Sequence, residues 1–497
     1  MPQNMSFERF AAVFLALLVI SAVPLFLTEL PPLLDYPNHL ARMYLLPSLP
    51  SALLERSFVV AWAPLPNLGM DGVVPFLARV MPLVWAGKAF ILLTFALLAG
   101  GACALHYVLF RRWSLWPCLA FLLLYTRLLL WGFMGYLAGC GLALAFFAAW
   151  LALQNRHWAL RVAAGLIFAL IVYLAHLLAF GIYAVMVGCY ELGQVWRFRP
   201  TITTAIRALA VGAIPFLPPL VLMSMNASEG RIVYASPLRK LDLLFSVFDN
   251  YSRPFDVVCF VGIVLAISFA FQRRWVRVAP EMALPLIGVT VLYIFMPTQL
   301  FTAAGADRRI PMMMFLMLIG SSQWMASSRI EWRFMATAGA MFAVRLAVIA
   351  VVWQSAGRFY AGLMPAFDQL PPGGCLAVAF GKDGISVQKA PLTHFPALAV
   401  MKRDDFVTTF FAYPTQQPIR LQPEAKKFAD LLAPDELWYA FVDNELQLTS
   451  EKRAALERCG YVAFAGTKPF TLKNTMGLEP AFVAPRFQLY RVTPALS

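Results

Sequence analysis

Asp35, His39 and Arg42 stand at i, i+4 and i+7 in the stretch Leu34-Asp35-Tyr36-Pro37-Asn38-His39-Leu40-Ala41-Arg42. On a helix these three side chains share one face. An acid and an imidazole can take a proton from a hydroxyl, and a guanidinium beside them can steady an anion. Asp35 is the natural general base and His39 its catalytic neighbour. The competing role for Asp35 is to cap the helix, which has Pro37 in its first turn, and one residue could fill both roles. Asp71 is the next acid along. Its simplest reading is the N-cap of a helix reaching toward Arg79; the alternative is a second carboxylate or a metal ligand.

Other charges sit where apolar sequence makes them costly. Arg127 and Arg345 fall within apolar runs, and a charge in a span usually faces a polar cavity. The run Gly305-Ala306-Asp307-Arg308-Arg309-Ile310-Pro311 puts adjacent arginines before another apolar stretch. They are either interface anchors paired with Asp307 or a forked clamp on a phosphate. His176 lies at a tight turn between two apolar runs, as a packing residue or as part of a polar cavity. His106, His157 and His394 read as surface or packing histidines. Cys375 and Cys459 are free to pair in an oxidising compartment, whereas the other five cysteines read as small apolar packers. No zinc-like spacing occurs, and no cofactor is required by any motif. A divalent cation, Mg or Mn, stays open on the thin basis of two aspartates and a histidine.

The elements that must hold these residues are mostly membrane helices. The chain has 497 residues, 61% hydrophobic and 13% charged, with net charge +14. A water-soluble domain carries roughly a quarter charged residues, so most of this chain belongs in lipid. Eleven spans are predicted: 10–30, 82–108, 114–131, 135–153, 161–176, 178–195, 204–225, 256–271, 281–297, 310–327 and 335–354. With the N-terminus in the cytoplasm, the inside segments hold 13 arginines against 4 acids, as the positive-inside rule requires. Residues 1–355 then form a membrane domain with long outside loops at about 31–81 and 226–255. Residues 356–497 form an extracytoplasmic α/β domain, with buried strands at 376–380 and 437–442, a helix at 450–459 and strands at 461–465 and 487–492. The basic excess lies in the membrane part: residues 356–497 carry 15 basic and 13 acidic residues. That points to topology as its cause and away from nucleic acid.

This layout resembles the GT-C superfamily of integral-membrane glycosyltransferases, which use polyprenyl-phosphate-linked sugars. The features that carry the resemblance are a short inside N-terminus, a first span followed at once by a long outside loop with an acid near its start, about eleven spans and an outside C-terminal domain. The resemblance implies a polytopic α-helical, GT-C-like fold in a bacterial inner membrane. It also implies inverting sugar transfer from a polyprenyl-phosphate carrier to a glycan, lipid or protein acceptor, with Asp35 as base. Paired acids are frequent in that superfamily, whereas Asp35 is flanked by Leu34 and Tyr36. By analogy the carrier phosphate would fall to Arg308 and Arg309 first, then Arg127 and Arg345, with Arg42, Asp71, His176 and Asp307 nearby. Two other classes compete: a transporter or flippase of a lipid-linked or anionic substrate, and a GT-C-like envelope scaffold without catalysis. Against transport, no repeated pair of Gly/Pro-broken spans marks a midplane site.

Overall fold

The computed structural model describes residues 5–225, 230–301, 303–381 and 388–493; residues 226–229 of the second long loop lie outside them. The chain is a polytopic helical membrane protein with a sheet-containing C-terminal region. Among the described residues, eight helices have the length and apolarity to cross a membrane unaided. The first, Phe7–Phe26, is capped by Ser6, whose hydroxyl accepts the Arg9 N–H. The centre of the bundle is the pair Leu83–Phe110 and Met134–Ala152. A Cβ on Gly101 would lie 2.8 Å from the Gly141 carbonyl oxygen, and one on Gly141 would lie 2.5 Å from the Leu97 carbonyl carbon. Small residues let the two backbones touch, which is how helices gain contact where lipid supplies no hydrophobic drive.

Three predicted spans are shorter helices. Residues 280–295 form one, and Ala306–Gly320 ends well before residue 327. The third, predicted over 114–131, is a 3-10 helix Trp116–Leu123, a break and a short helix Arg127–Trp131 closed by Gly132 in the left-handed region. The run is strongly apolar, and only Pro117 and the pair Thr126-Arg127 interrupt it; Thr126 stands at the N-cap of the short helix and marks the break. The break is stable because its polar groups find partners. Asn250 donates to the Tyr125 carbonyl at 3.0 Å, and the Tyr125 hydroxyl donates to the Ser21 carbonyl at 2.7 Å.

The last long helix runs over Ser328–Leu363, past residue 355, into a sheet of five strands. Its order is Leu478–Ala484, Phe487–Val492, Tyr461–Ala465, Cys375–Ala379 and Phe406–Val407. The last two neighbouring pairs are parallel and the first two antiparallel. Cys375 and Cys459 form a disulfide. The strand expected at 437–442 is helical instead: Pro434–Trp438 continues into a π turn at Tyr439–Asp443. A short buried apolar run fits either structure, and here Pro434 at the first helical position decides it.

The loop over 31–81 joins the two parts. It folds into helices Tyr36–Leu45, Ala52–Ser57 and Gly69–Leu77 and a strand, Phe58–Val60, which pairs antiparallel with Ile419–Leu421 of the C-terminal region. The Tyr44 hydroxyl donates to Asp404 at 2.8 Å, and Ser51 donates to the Asp404 carbonyl at 3.0 Å.

Candidate functional site

Asp35 occupies the N-cap position of the Tyr36–Leu45 helix, but its side chain makes no capping bond. The carboxylate is therefore free of the helix. Its backbone is held by the short Arg127–Trp131 helix: the Leu34 N–H donates to the Leu130 carbonyl at 2.9 Å, and the Asp35 N–H to the Trp131 carbonyl at 3.2 Å. The side chain is 16% exposed. Burial lifts its pKa to about 7, against the opposing pull of the Arg309 and Arg42 guanidiniums.

Gly132 completes this support. Its φ is +93°, and a Cβ there would sit 2.9 Å from the Asp35 Cβ and 3.1 Å from the Asp35 nitrogen. Gly132→Ala therefore meets both a disfavoured backbone and a clash. The expected cost is about 1–3 kcal/mol, measured as a lower thermal midpoint of the purified protein; an unchanged midpoint would contradict the close approach.

His39 points its Nε2 at the Gly132 carbonyl, 3.2 Å away. A carbonyl only accepts, so Nε2 carries the hydrogen and Nδ1 is left as a buried acceptor with no partner. Burial first, and Arg42 second, hold its pKa well below the ordinary histidine value, so the ring is neutral.

Arg42 and Asp71 are committed to each other. The Arg42 Nε and NH2 donate to the two Asp71 oxygens at 2.7 and 3.0 Å, and Arg42 is only 3% exposed. Asp71 lies within the Gly69–Leu77 helix and is not its cap. The pair is a forked brace between two helices, its charges cancelled where water is scarce.

Arg308 and Arg309 lie in the first turn of Ala306–Gly320 and lean on the loop that holds Asp35. Arg308 covers the Trp131 ring at 5.3 Å and Arg309 the Phe133 ring at 4.2 Å. Neither pairs with Asp307, which accepts from Thr298 at 2.8 Å and lies 3.4 Å from Lys240. The anchor-and-acid reading of that run is thus replaced by a different acid–base pair. The Nε atoms of both arginines and the Trp131 Nε1 are buried without partners. Arg309 also donates to the Ala304 carbonyl at 3.2 Å and approaches His176 Nε2 at 3.3 Å. His176 Nδ1 already accepts the Leu178 N–H. A neutral imidazole has one lone pair, so it cannot serve both donors at once. Arg308 feels the like charges of Arg127 and Arg239, which makes this corner cation-rich.

Arg127 forms an ion pair with Asp249. Arg345 donates to Asp256 at 2.6 Å and to the Phe248 carbonyl at 3.0 Å, next in sequence to the Asp249 that pairs with Arg127. These contacts satisfy Arg345 within its own helix pair. Two further residues complete the surroundings of Asp35: Asn38, fully buried and not singled out by the sequence, and His394, whose reading as a surface or packing histidine is corrected by its Nε2 lying 3.5 Å from Asp35 Oδ1. Asn38 stands one residue from His39 and could have drawn notice there; nothing local marks His394. Among the described residues no three His, Cys, Asp or Glu side chains gather as ligands for a metal.

By fold, the chain matches the crystal structure of ArnT from Cupriavidus metallidurans bound to undecaprenyl phosphate. The TM-score is 0.55 at 12% identity, covering 99% of each chain. The apo state of the same protein matches with a TM-score of 0.54 at 11% identity, over 97% of this chain and 98% of that one. No family model and no curated protein matches by sequence. The likeness is one of architecture along the whole chain, a polytopic helical bundle followed by a sheet-containing C-terminal region.

Proposed function

We propose, on the premise of the fold shared with ArnT, that this chain is a membrane glycosyltransferase that moves a sugar from a polyprenyl-phosphate carrier to an acceptor. The observation that carries the reading is the uncapped Asp35 carboxylate within electrostatic reach of Arg309, which adjoins Arg308, the Nε atoms of both arginines being buried without partners. Asp35 takes the proton of an acceptor hydroxyl. The hydroxyl oxygen attacks the anomeric carbon, the bond from that carbon to the phosphate oxygen breaks, and polyprenyl phosphate leaves with the electron pair. The attack comes from the face opposite the leaving group, so the anomeric configuration inverts. Arg308 and Arg309 take up the charge that grows on the phosphate, acting in a site with little water to compete. His39 offers its bare Nδ1 to a substrate hydroxyl. Arg42 and Asp71 hold the helix that presents Asp35 and His39. No step of this reaction is routed through a divalent cation.

The basic inside loops support a cytoplasmic N-terminus, with the site and the C-terminal domain on the outer face of a bacterial inner membrane. The acceptor, a glycan, lipid or protein hydroxyl, then arrives from outside the cell interior.

The test is transfer by the purified protein from undecaprenyl-phosphate sugars carrying a labelled hexose, N-acetylhexosamine or aminopentose. The rate should climb as pH rises through about 7 and level off above it, because the base must be ionised and burial holds Asp35 near that value. A pH–rate profile checks this; an acid limb near pH 4 would mean that another group sets the rate. Absence of transfer from every carrier sugar would return the chain to the transporter or scaffold readings.

A further inference from the structure

The C-terminal domain reaches Asp35 through a histidine 356 residues away from Asn38 in sequence. His394 Nδ1 lies 3.2 Å from Asn38 Nδ2, and its Nε2 lies 3.5 Å from Asp35 Oδ1. The Asn38 amide is fixed in orientation. Its Oδ1 accepts the Phe411 N–H at 3.0 Å, and its Nδ2 donates to the Thr409 carbonyl at 3.2 Å. Turned over, it would set oxygen against a carbonyl and NH2 against an N–H. Nδ2 therefore faces His394, Nδ1 must accept, and a neutral imidazole then carries its hydrogen on Nε2. That hydrogen is aimed at Asp35. Phe411 packs edge-on against the ring at 4.7 Å and holds its plane.

We propose that His394 is a positioning residue for Asp35: Asn38 fixes its Nε2–H tautomer, and that N–H donates to Asp35 Oδ1, leaving Oδ2 for the acceptor hydroxyl. The proposal rests on the reading of Asp35 as general base. A separation of 3.5 Å is long for a hydrogen bond; a small rotation of the carboxyl closes it, and contacts of this kind commonly tighten when substrate binds. No proton need move to His394. Burial holds its own pKa down to about 4, so it stays a neutral donor while Asp35 ionises. The other groups facing Asp35 are Arg309 from the Ala306–Gly320 helix, Arg42 and His39 from its own helix, and Tyr413 from the C-terminal domain. The two arginines favour the carboxylate through their charge, and His394 Nε2 approaches one of its oxygens, Oδ1.

The test reads Asp35 directly, without any substrate. Infrared difference spectra of wild type against Asp35→Asn, in nanodiscs, give the pH midpoint of the Asp35 carboxyl. His394→Leu removes the donor and should raise that midpoint by about one pH unit, about a tenfold change in proton affinity. His394→Gln, whose amide N–H can reach the place of Nε2–H, should return it to the wild-type value, and kcat should fall about tenfold in the Leu variant and largely recover in Gln. A midpoint unmoved in His394→Leu, or moved equally in both variants, overturns the proposal and leaves a packing role. Should the Leu variant not fold, ¹⁵N-histidine spectra of the wild type decide, with His394 assigned by its loss in the Gln variant: Nδ1 protonation overturns the proposal and Nε2 protonation upholds it. Failure of the general-base reading looks different, as full transfer by Asp35→Asn whatever the histidine does.

Discussion

Asp35→Asn lowers kcat for sugar transfer by about 10²–10⁴-fold, the range lost when a general base is removed, and leaves the protein folded. The two halves of this expectation have separate causes. Asn keeps the size and one acceptor oxygen of the carboxylate but cannot take a proton. The side chain makes no capping bond, so the helix loses nothing. Burial raises the folded pKa to about 7 from an ordinary value of 3.8. The folded state therefore binds this proton more tightly than the unfolded chain, so this group's contribution to stability falls as pH rises from 3.8 to about 7 and the full cost is present above that. The Asn variant escapes that cost, so its thermal midpoint at pH 8 should equal or exceed that of wild type. Transfer at the wild-type rate would sink the catalytic role of Asp35. A collapsed midpoint would sink the claim that its carboxylate is structurally uncommitted.

Arg309→Leu carries the second large effect, and it has two readouts. Binding of undecaprenyl phosphate should weaken by about 10–100-fold, the equivalent of losing one or two charge-assisted hydrogen bonds to phosphate. The acid limb of the pH–rate profile should also move to higher pH. Arg309 favours the ionised form of Asp35, so without it the carboxylate holds its proton longer and the base is lost at a higher pH. Arg309→Lys should recover part of the second effect and little of the first. It restores a charge but not the planar fork that lies on Phe133. Calorimetric titration with the carrier and a pH series separate the two. An unchanged affinity would move the phosphate to other donors.

The course of the membrane helices was legible because hydropathy is local and strong, and eight of the predicted spans are long helices. The spacing of Asp35, His39 and Arg42 needs only neighbouring residues to be read, but the commitment of Arg42 to Asp71 does not show in it. Residues whose partners come from far along the chain were not legible. Asp71 read as a cap because its partner, Arg42, lies 29 residues back and the shift of the helix start to Gly69 leaves no local trace. Asp307 read as the partner of Arg308 and Arg309 because they are adjacent, yet successive residues of a helix point to different faces. Lys240 and Thr298 claim it instead. The run over 116–131 reads as one span because only Thr126 and Arg127 mark its break, and with the break went Gly132, whose empty side of the backbone admits Asp35. His394 had no sequence signal at all. Its value comes from Asn38 and Asp35, which only the folded chain brings to it.

The pairing of Phe58–Val60 with Ile419–Leu421 sets a rule for recombination. A chimaera of two proteins of this architecture, joined once after the last membrane helix, would mate a foreign edge strand to the resident first loop. It would also cut within or just beyond a helix that runs unbroken to Leu363. A workable exchange takes two segments together, the loop over 31–81 and the C-terminal domain, and leaves the intervening helices behind. Drift in these two stretches is bound in the same way, since a change on one side of the seam must be met by a change on the other, more than three hundred residues along the chain.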